Sequence, residues 1–245
     1  MNLNNLNLPN FIIIGAQKAA TSTLRYNLNK HPDIFVVRDE LHFFNNEQKW
    51  SQGVSWYSRF FDHPEMIQGE KTPNYLSSIK AHERIASTVP NAKLIILLRN
   101  PIDRAYSAWN YFNLNIENSR NWGWKIEDFE TIITDAEVTK LGPFAKVINN
   151  GKYIHQIENL LKYFPREQLF FGITERFKQD PNSQFSNILD FIGVRQIPII
   201  IEEYNVMPYL TEIKPDTRNN LDKLFAPFNQ QLFEFLGEEI KEWKL

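Results

Sequence analysis

Residues 11–25 read FIIIGAQKAATSTLR. An unbroken apolar run of strand length, rich in β-branched isoleucine, meets a glycine, and a Ser/Thr-rich segment that reads as a helix follows. Continuous apolar runs are expected of parallel strands buried on both faces. The glycine permits a sharp turn, after which backbone N–H groups can point at an anion held on the positive N-terminus of the next helix. Gly15, Ala16, Gln17, Lys18, Ala19, Ala20, Thr21, Ser22 and Thr23 are therefore the candidate phosphate cradle, with the last three as hydroxyl donors. The same residues also suit an ordinary turn and N-cap. An ATP-binding loop of the G-x-x-x-x-G-K-[ST] type needs a second glycine and places its lysine at the helix start. Here Gly15 has no such partner and Lys18 lies inside the loop, which disfavours ATP or GTP hydrolysis and suits one 5′-phosphate carrying a reactive group.

A second strand–turn–helix unit lies at 94–109, LIILLRNPIDRAYSAW. Arg99 leaves the strand at its C-terminal edge, where ligands gather in open α/β sheets. Pro101 is suited to start the helix, and Ser107 falls about two turns along it, where it can share an anion with Arg99. Arg104 reads as a solvated or ion-paired surface residue. LFFGI at 169–173 is a third strand, with shorter candidates at 34–37 and 66–69. Helices are expected at 20–29, 102–114 and 153–163, in a segment ending near Pro90, and as a surface helix over 216–236. Strands alternating with helices imply βαβ units with right-handed crossovers. The expected fold is a single α/β domain over 1–245, a central parallel sheet flanked by helices.

A net charge of -2 over 245 residues gives no global attraction for nucleic acid or anionic membrane, so any anion site is local. The absence of cysteine excludes disulfides, thiolate metal sites and cysteine nucleophiles. No stretch is long enough for a transmembrane helix, and the N-terminus lacks a signal-peptide pattern, so a cytoplasmic protein is expected. No His/Asp cluster suggests a metal.

At this point a family resemblance is legible. GAQKAATSTL (15–24) resembles the 5′-phosphosulfate loop of sulfotransferases that use 3′-phosphoadenosine 5′-phosphosulfate (PAPS), and LRNPIDRAYSAW (98–109) resembles their 3′-phosphate motif. HPDIFVVRDELHFFNN (31–46) and GEKTPNYL (69–76) are similar to segments of the heparan-sulfate type, N- and O-transferring. GKYIHQIENLLKYFPREQLFF (151–171) and ERFKQDP (175–181) continue the similarity, which spans roughly residues 9–193. The resemblance implies a P-loop-like sulfotransferase fold, PAPS as sulfuryl donor and 3′-phosphoadenosine 5′-phosphate (PAP) as product, without a metal. It implies that loop 15–23 holds the 5′-phosphate, that Arg99 and Ser107 hold the 3′-phosphate, and that Tyr153 lies beside the nucleotide. Lys18 falls where it can stabilise the leaving oxygen.

Glu40 matches the family's catalytic carboxylate, and its apolar HFF neighbourhood leads us to expect a raised pKa, suited to a general base. The alternative is a solvated Asp39–Glu40 turn. His42 is a competing base or a core-edge histidine. Lys71 matches a lysine near the reacting groups, with Glu70 as its neighbour and a second carboxylate. The acceptor is a glycan, glycolipid or small molecule: a saccharide hydroxyl or amine first, then a small alcohol, phenol or acyl-chain hydroxyl. A non-catalytic PAP-binding module is the other reading. Trp50, Trp56, Tyr57, Trp109, Tyr111, Trp122 and Trp124 are candidates to border a cleft. The basic glycine-containing loop that closes on the nucleotide in the heparan-sulfate enzymes is missing from NVMPYLTEIKPDTRNN (205–220), where Lys214 and Arg218 are the nearby cations. The resemblance is thus to a compact, bacterial, soluble member of the family.

Overall fold

The structure, a computed structural model, describes residues 6–115, 117, 128–133 and 142–244. The strands are β1 (Phe11–Gly15), β2 (Ile34–Val36), β3 (Ile67–Lys71), β4 (Lys93–Leu98) and β5 (Leu169–Ile173). Along the chain the described helices are α1 (Thr21–Leu28), α2 (Glu47–Trp50), α3 (Val54–Ser58), α4 (Ile79–Thr88) and α5 (Pro101–Leu114). They continue with α6 (Gly142–Asn149), α7 (Tyr153–Leu160), α8 (Thr174–Gln179), α9 (Pro181–Ile192) and α10 (Pro215–Leu236). Two compact units share the chain: Met1–Leu98 with Gln156–Asn205, and Arg99–His155 with Val206–Leu245.

The first unit carries the sheet. Its strands pair in parallel in the order β2-β3-β1-β4-β5. The central β1 is buried along its whole length, the environment its uninterrupted FIII run requires. The chain leaves β1 through α1 to β2, returns to β3 beside β1, and then crosses by α4 to β4 on the other side. Connections therefore diverge at the C-terminal end of β1, the switch point at which open α/β sheets form their crevice. Ile13 pairs with Lys71, so β3 ends alongside the loop that follows β1.

In the second unit, α5 starts as its sequence dictates. The Asn100 carboxamide oxygen accepts from the amides of Ile102 and Asp103, and Pro101 occupies the first helical position. Its apolar face joins Phe129, Ile132, Val147, Leu221 and Phe225 in a core. The expected surface helix at 216–236 forms, starting one residue earlier. Helix α10 buries Leu221, Phe225 and Leu232, because the i, i+4 pair Leu221 and Phe225 stacks on one face. The expected strands all form, with ends displaced by one or two residues. Helices α6, α8 and α9 and the short pair α2 and α3 were not anticipated.

Candidate functional site

The loop after β1 owes its glycine to a close approach. A Cβ on Gly15 would lie 2.6 Å from Leu76 Cβ and 3.1 Å from the Pro73 carbonyl. The Leu76 amide donates to the Ile14 carbonyl at 2.8 Å, and the Ala16 amide to the Leu97 carbonyl at 2.8 Å. Lys18 and Ala20 both adopt left-handed backbone, φ 70° and 60°, a conformation that residues bearing a Cβ seldom take unless their surroundings hold them there. Ala20, at the N-cap of α1, offers no side-chain hydrogen bond. The first amides of α1 and its positive dipole end are thus left to an external anion.

Of the three hydroxyls, Thr21 is buried. Ser22 is half-buried. Thr23 turns elsewhere: its hydroxyl donates to the Tyr204 carbonyl at 2.9 Å and accepts the Tyr204 amide at 3.2 Å. The segment around Tyr204 is laced to α1 by further bonds. Asn27 donates to the Glu202 carbonyl and accepts the Glu202 amide, and the rings of Tyr26 and Tyr204 stack at 4.7 Å. Thr23 therefore contributes its amide to the loop, not its hydroxyl.

The ends of β2 and β3 meet this loop through one lysine. Lys71, the last residue of β3, places Nζ 2.5 Å from Glu40 Oε1 and 3.3 Å from Ser22 Oγ. Only 6% of the Lys71 side chain is exposed, against 35% for Glu40, so the ammonium is desolvated and held while the carboxylate still faces solvent. His42 Nε2 lies 3.3 Å from Glu40 Oε2, and its Nδ1 lies 3.3 Å from Asn45 Oδ1. Both of these ring contacts are to side chains, the Glu40 carboxylate and the Asn45 carboxamide.

The expectation of a raised Glu40 pKa is overturned. Burial does push the carboxyl up, but the His42 hydrogen bond and the Lys71 charge together outweigh it, and the group lies below the usual glutamate value. Glu40 is a carboxylate, not an acid, at neutral pH. The raised carboxyl is Glu70. It is fully buried, and burial lifts it to about 7 against the hydrogen bonds of Tyr57, Thr72 and Tyr75. The Tyr57 hydroxyl donates at 2.6 Å, Thr72 at 2.9 Å and Tyr75 at 3.2 Å.

In the second unit, Arg99 is the residue after β4 and is half-buried. Its Nη2 donates to the Tyr209 hydroxyl at 2.9 Å. Tyr153 is buried and its hydroxyl donates to the Arg99 carbonyl at 2.8 Å, so it anchors the backbone from which the Arg99 guanidinium projects. Ser107 lies half-buried on α5. Arg104 is not the surface residue expected. It is wholly buried, donates to the Val147 carbonyl, and leaves Nε and Nη1 without partners. Lys214 and Arg218 are paired with Glu130 and Asp103.

Two of the aromatic candidates for a cleft are core residues: Tyr57 is fully buried and Trp109 packs inside the second unit. Trp50 and Trp56 are half-buried against Phe43. Trp122 and Trp124 lie outside the described residues. Tyr209 was missed. Its partner Arg99 is far away in the chain, and an exposed tyrosine in an irregular segment carries no signal of its own. The Glu70 network was only half seen, as a second carboxylate beside Lys71.

The arrangement can bind an anion on loop amides and on cations, beside an ionised carboxylate able to take a proton. Among the described residues, no group of three or more His, Asp or Glu side chains is placed to hold a metal ion. Among them also, no helix is long and apolar enough to cross a membrane.

Comparison with known proteins bears on the same residues. A family model described as a sulfotransferase domain matches residues 8–242. Heparan sulfate glucosamine 3-O-sulfotransferase 5 of Mus musculus is 28% identical over 260 residues, covering 95% of this chain and 73% of that protein. Bifunctional heparan sulfate N-deacetylase/N-sulfotransferase 1 of Caenorhabditis briggsae is 26% identical over 277 residues, covering 99% of this chain and 32% of that protein. The crystal structure of a sulfotransferase from Alicyclobacillus acidocaldarius superposes with a TM-score of 0.77 at 29% identity, covering 96% of this chain and 98% of that one.

Proposed function

The chain belongs to the sulfotransferase domain family, and we propose that it moves the sulfuryl group of PAPS to a saccharide hydroxyl or amine, with Glu40 as the general base. The observation that carries this reading is the position of Lys71 Nζ, between Glu40 at 2.5 Å and Ser22 of the anion loop at 3.3 Å. A carboxylate and a phosphate cradle joined by one cation are what in-line transfer from a phosphosulfate needs.

Amides of loop 15–23 that are not spent within the fold, chiefly those at the start of α1, hold the 5′-phosphate, and Arg99 with Ser107 holds the 3′-phosphate. Lys71 faces the sulfuryl oxygens, where a compact, desolvated ammonium neutralises charge most effectively. Glu40 takes the acceptor proton as the acceptor oxygen or nitrogen bonds to sulfur. The bond from sulfur to the bridging oxygen breaks, and Lys18 with the loop amides stabilises the charge left on the departing phosphate. His42 orients the Glu40 carboxylate. Glu40 is held ionised in the ground state by Lys71 and His42. Drawing Lys71 toward the donor therefore weakens its hold on Glu40 and makes the carboxylate more basic when a proton must be taken. The saccharide acceptor follows the names of the relatives, two of which act on heparan sulfate.

The test is direct. PAP should raise the melting temperature where AMP at equal concentration does not, because only PAP carries the 3′-phosphate. Labelled PAPS should pass its sulfate to heparan sulfate oligosaccharides in preference to simple alcohols and phenols. Binding of PAP with no transfer to any acceptor would leave a nucleotide-binding module instead of an enzyme.

A further inference from the structure

Glu70 makes none of the contacts assigned to the reaction above, yet it sits one residue before Lys71 with its carboxylate enclosed. Three hydroxyls donate to it: Tyr57 from α3, Thr72 just beyond β3, and Tyr75 in the turn that follows. Two of these hydroxyls do a second job. Thr72 Oγ1 accepts the His42 amide at 3.4 Å, and the Tyr75 hydroxyl accepts the Phe44 amide at 3.5 Å. A hydroxyl has one proton to give and two lone pairs to accept with. Because Thr72 and Tyr75 spend their protons on Glu70, their lone pairs are turned toward the two loop amides.

We propose that Glu70 is a positioning residue for the transfer step, clamping the loop that carries Glu40 and His42 through the hydroxyls of Thr72 and Tyr75. The loop needs such a clamp. His42 is held in left-handed backbone at φ 52°, which costs a residue with a Cβ energy that neighbours must offset. Phe43 and Phe44 anchor the loop in the core by their rings, but apolar contacts set no direction for the chain. The two amide bonds supply direction, and so set where the Glu40 carboxylate meets Lys71. Lys71 points from the same strand end to the anion loop. Consecutive residues of β3 thus serve opposite faces, Glu70 steering the base and Lys71 meeting it, as strand alternation dictates.

This inference rests on the assignment of Glu40 as the base, and its test separates the two. Glu70→Gln and Thr72→Val are compared with the parent by amide hydrogen exchange, by PAP affinity, and by turnover with PAPS and heparan sulfate oligosaccharides. In Glu70→Gln, exchange at the His42 and Phe44 amides should quicken at least tenfold. In Thr72→Val the gain should be confined to His42. In both, kcat should fall tenfold or more while PAP affinity and the KM for PAPS stay within twofold, a split that a general loss of structure would not produce. Should Glu70→Gln fail to fold, Thr72→Val, which keeps the carboxylate, decides alone. Unchanged exchange overturns the clamp whatever the activity. Faster exchange with full turnover overturns the positioning role. Glu40→Gln, run alongside, retains full turnover only if the assignment of the base is itself wrong.

Discussion

Replacing Glu70 with glutamine should change how the stability of the protein depends on pH. In the folded protein this carboxyl is displaced from its ordinary 4.5 to about 7, chiefly by burial. Between those values the unfolded chain has released the proton and the folded chain still holds it. The unfolded state then binds fewer protons, so stability must fall as pH rises through the window and level off above about 7. At about 1.4 kcal/mol per pH unit the whole loss is about 3 kcal/mol. Glutamine cannot ionise, so the variant lacks this slope, although it loses hydrogen-bond quality at every pH. Other carboxylates act in the opposite sense at lower pH. Glu40, held down by His42 and Lys71 against its burial, contributes stability that is lost as pH falls below the ordinary glutamate range. The informative quantity is therefore the difference between variant and parent, in which such common contributions cancel. Melting temperatures measured by circular dichroism from pH 4.5 to 8 should show that difference moving in the variant's favour by about 6–12 °C, since about 2–4 °C accompanies each kcal/mol in a chain of this size. Two melting curves that stay parallel across the window would refute the reasoning and show Glu70 to be ionised with no penalty.

Three further outcomes are expected. Glu40→Gln should lower turnover by about a hundredfold or more, the lower end of the range for general acid–base catalysis, while PAP affinity measured by calorimetry changes little; near-normal turnover would remove Glu40 as the base. Arg99→Ala should weaken PAP binding by about 1.5–3 kcal/mol, the scale of a charge-assisted hydrogen bond, and leave AMP binding almost unaffected. Gly15→Ala should destabilise the fold by about 3 kcal/mol, the upper end of overpacking costs. The new methyl meets a Cβ at 2.6 Å and a carbonyl at 3.1 Å, neither of which a rotamer change can move aside, and a thermal melt would register it.

Much of the sheet and half of the site could be read from the chain. FIII, LIILL and LFFGI announced buried parallel strands because a strand covered on both faces has no reason to alternate. Arg99 and Lys18 stand out because each follows such a strand, where the fold gathers ligands, whereas Lys71 is picked out only by the family resemblance of GEKTPNYL. The pKa values were not legible. Glu40 has Phe43 and Phe44 within four residues in the sequence, whereas the aromatic nearest Glu70 is Tyr75, five residues on, yet it is Glu70 that has the raised value. An aromatic neighbour in sequence says nothing about which carboxylate it covers. Glu40 lies beside Lys71 and His42 and is still reached by water, whereas Glu70 is enclosed and takes its hydrogen bonds from the hydroxyls of Tyr57, Thr72 and Tyr75.

Backbone preference and hydrophobic period act between near neighbours, so the sequence alone determined the strands, the glycine turn after β1, the start of α5 at Pro101 and the candidate anion loop. Desolvation and Coulomb interaction act through space. Only the tertiary structure therefore decided that Lys71 joins Glu40 to Ser22, that Tyr209 meets Arg99, that Thr23 is spent on Tyr204, and that Glu70 is enclosed. Each of these pairs residues brought together by β-strand order or by a returning segment, and burial with charge at that meeting point sets which carboxyl keeps its proton.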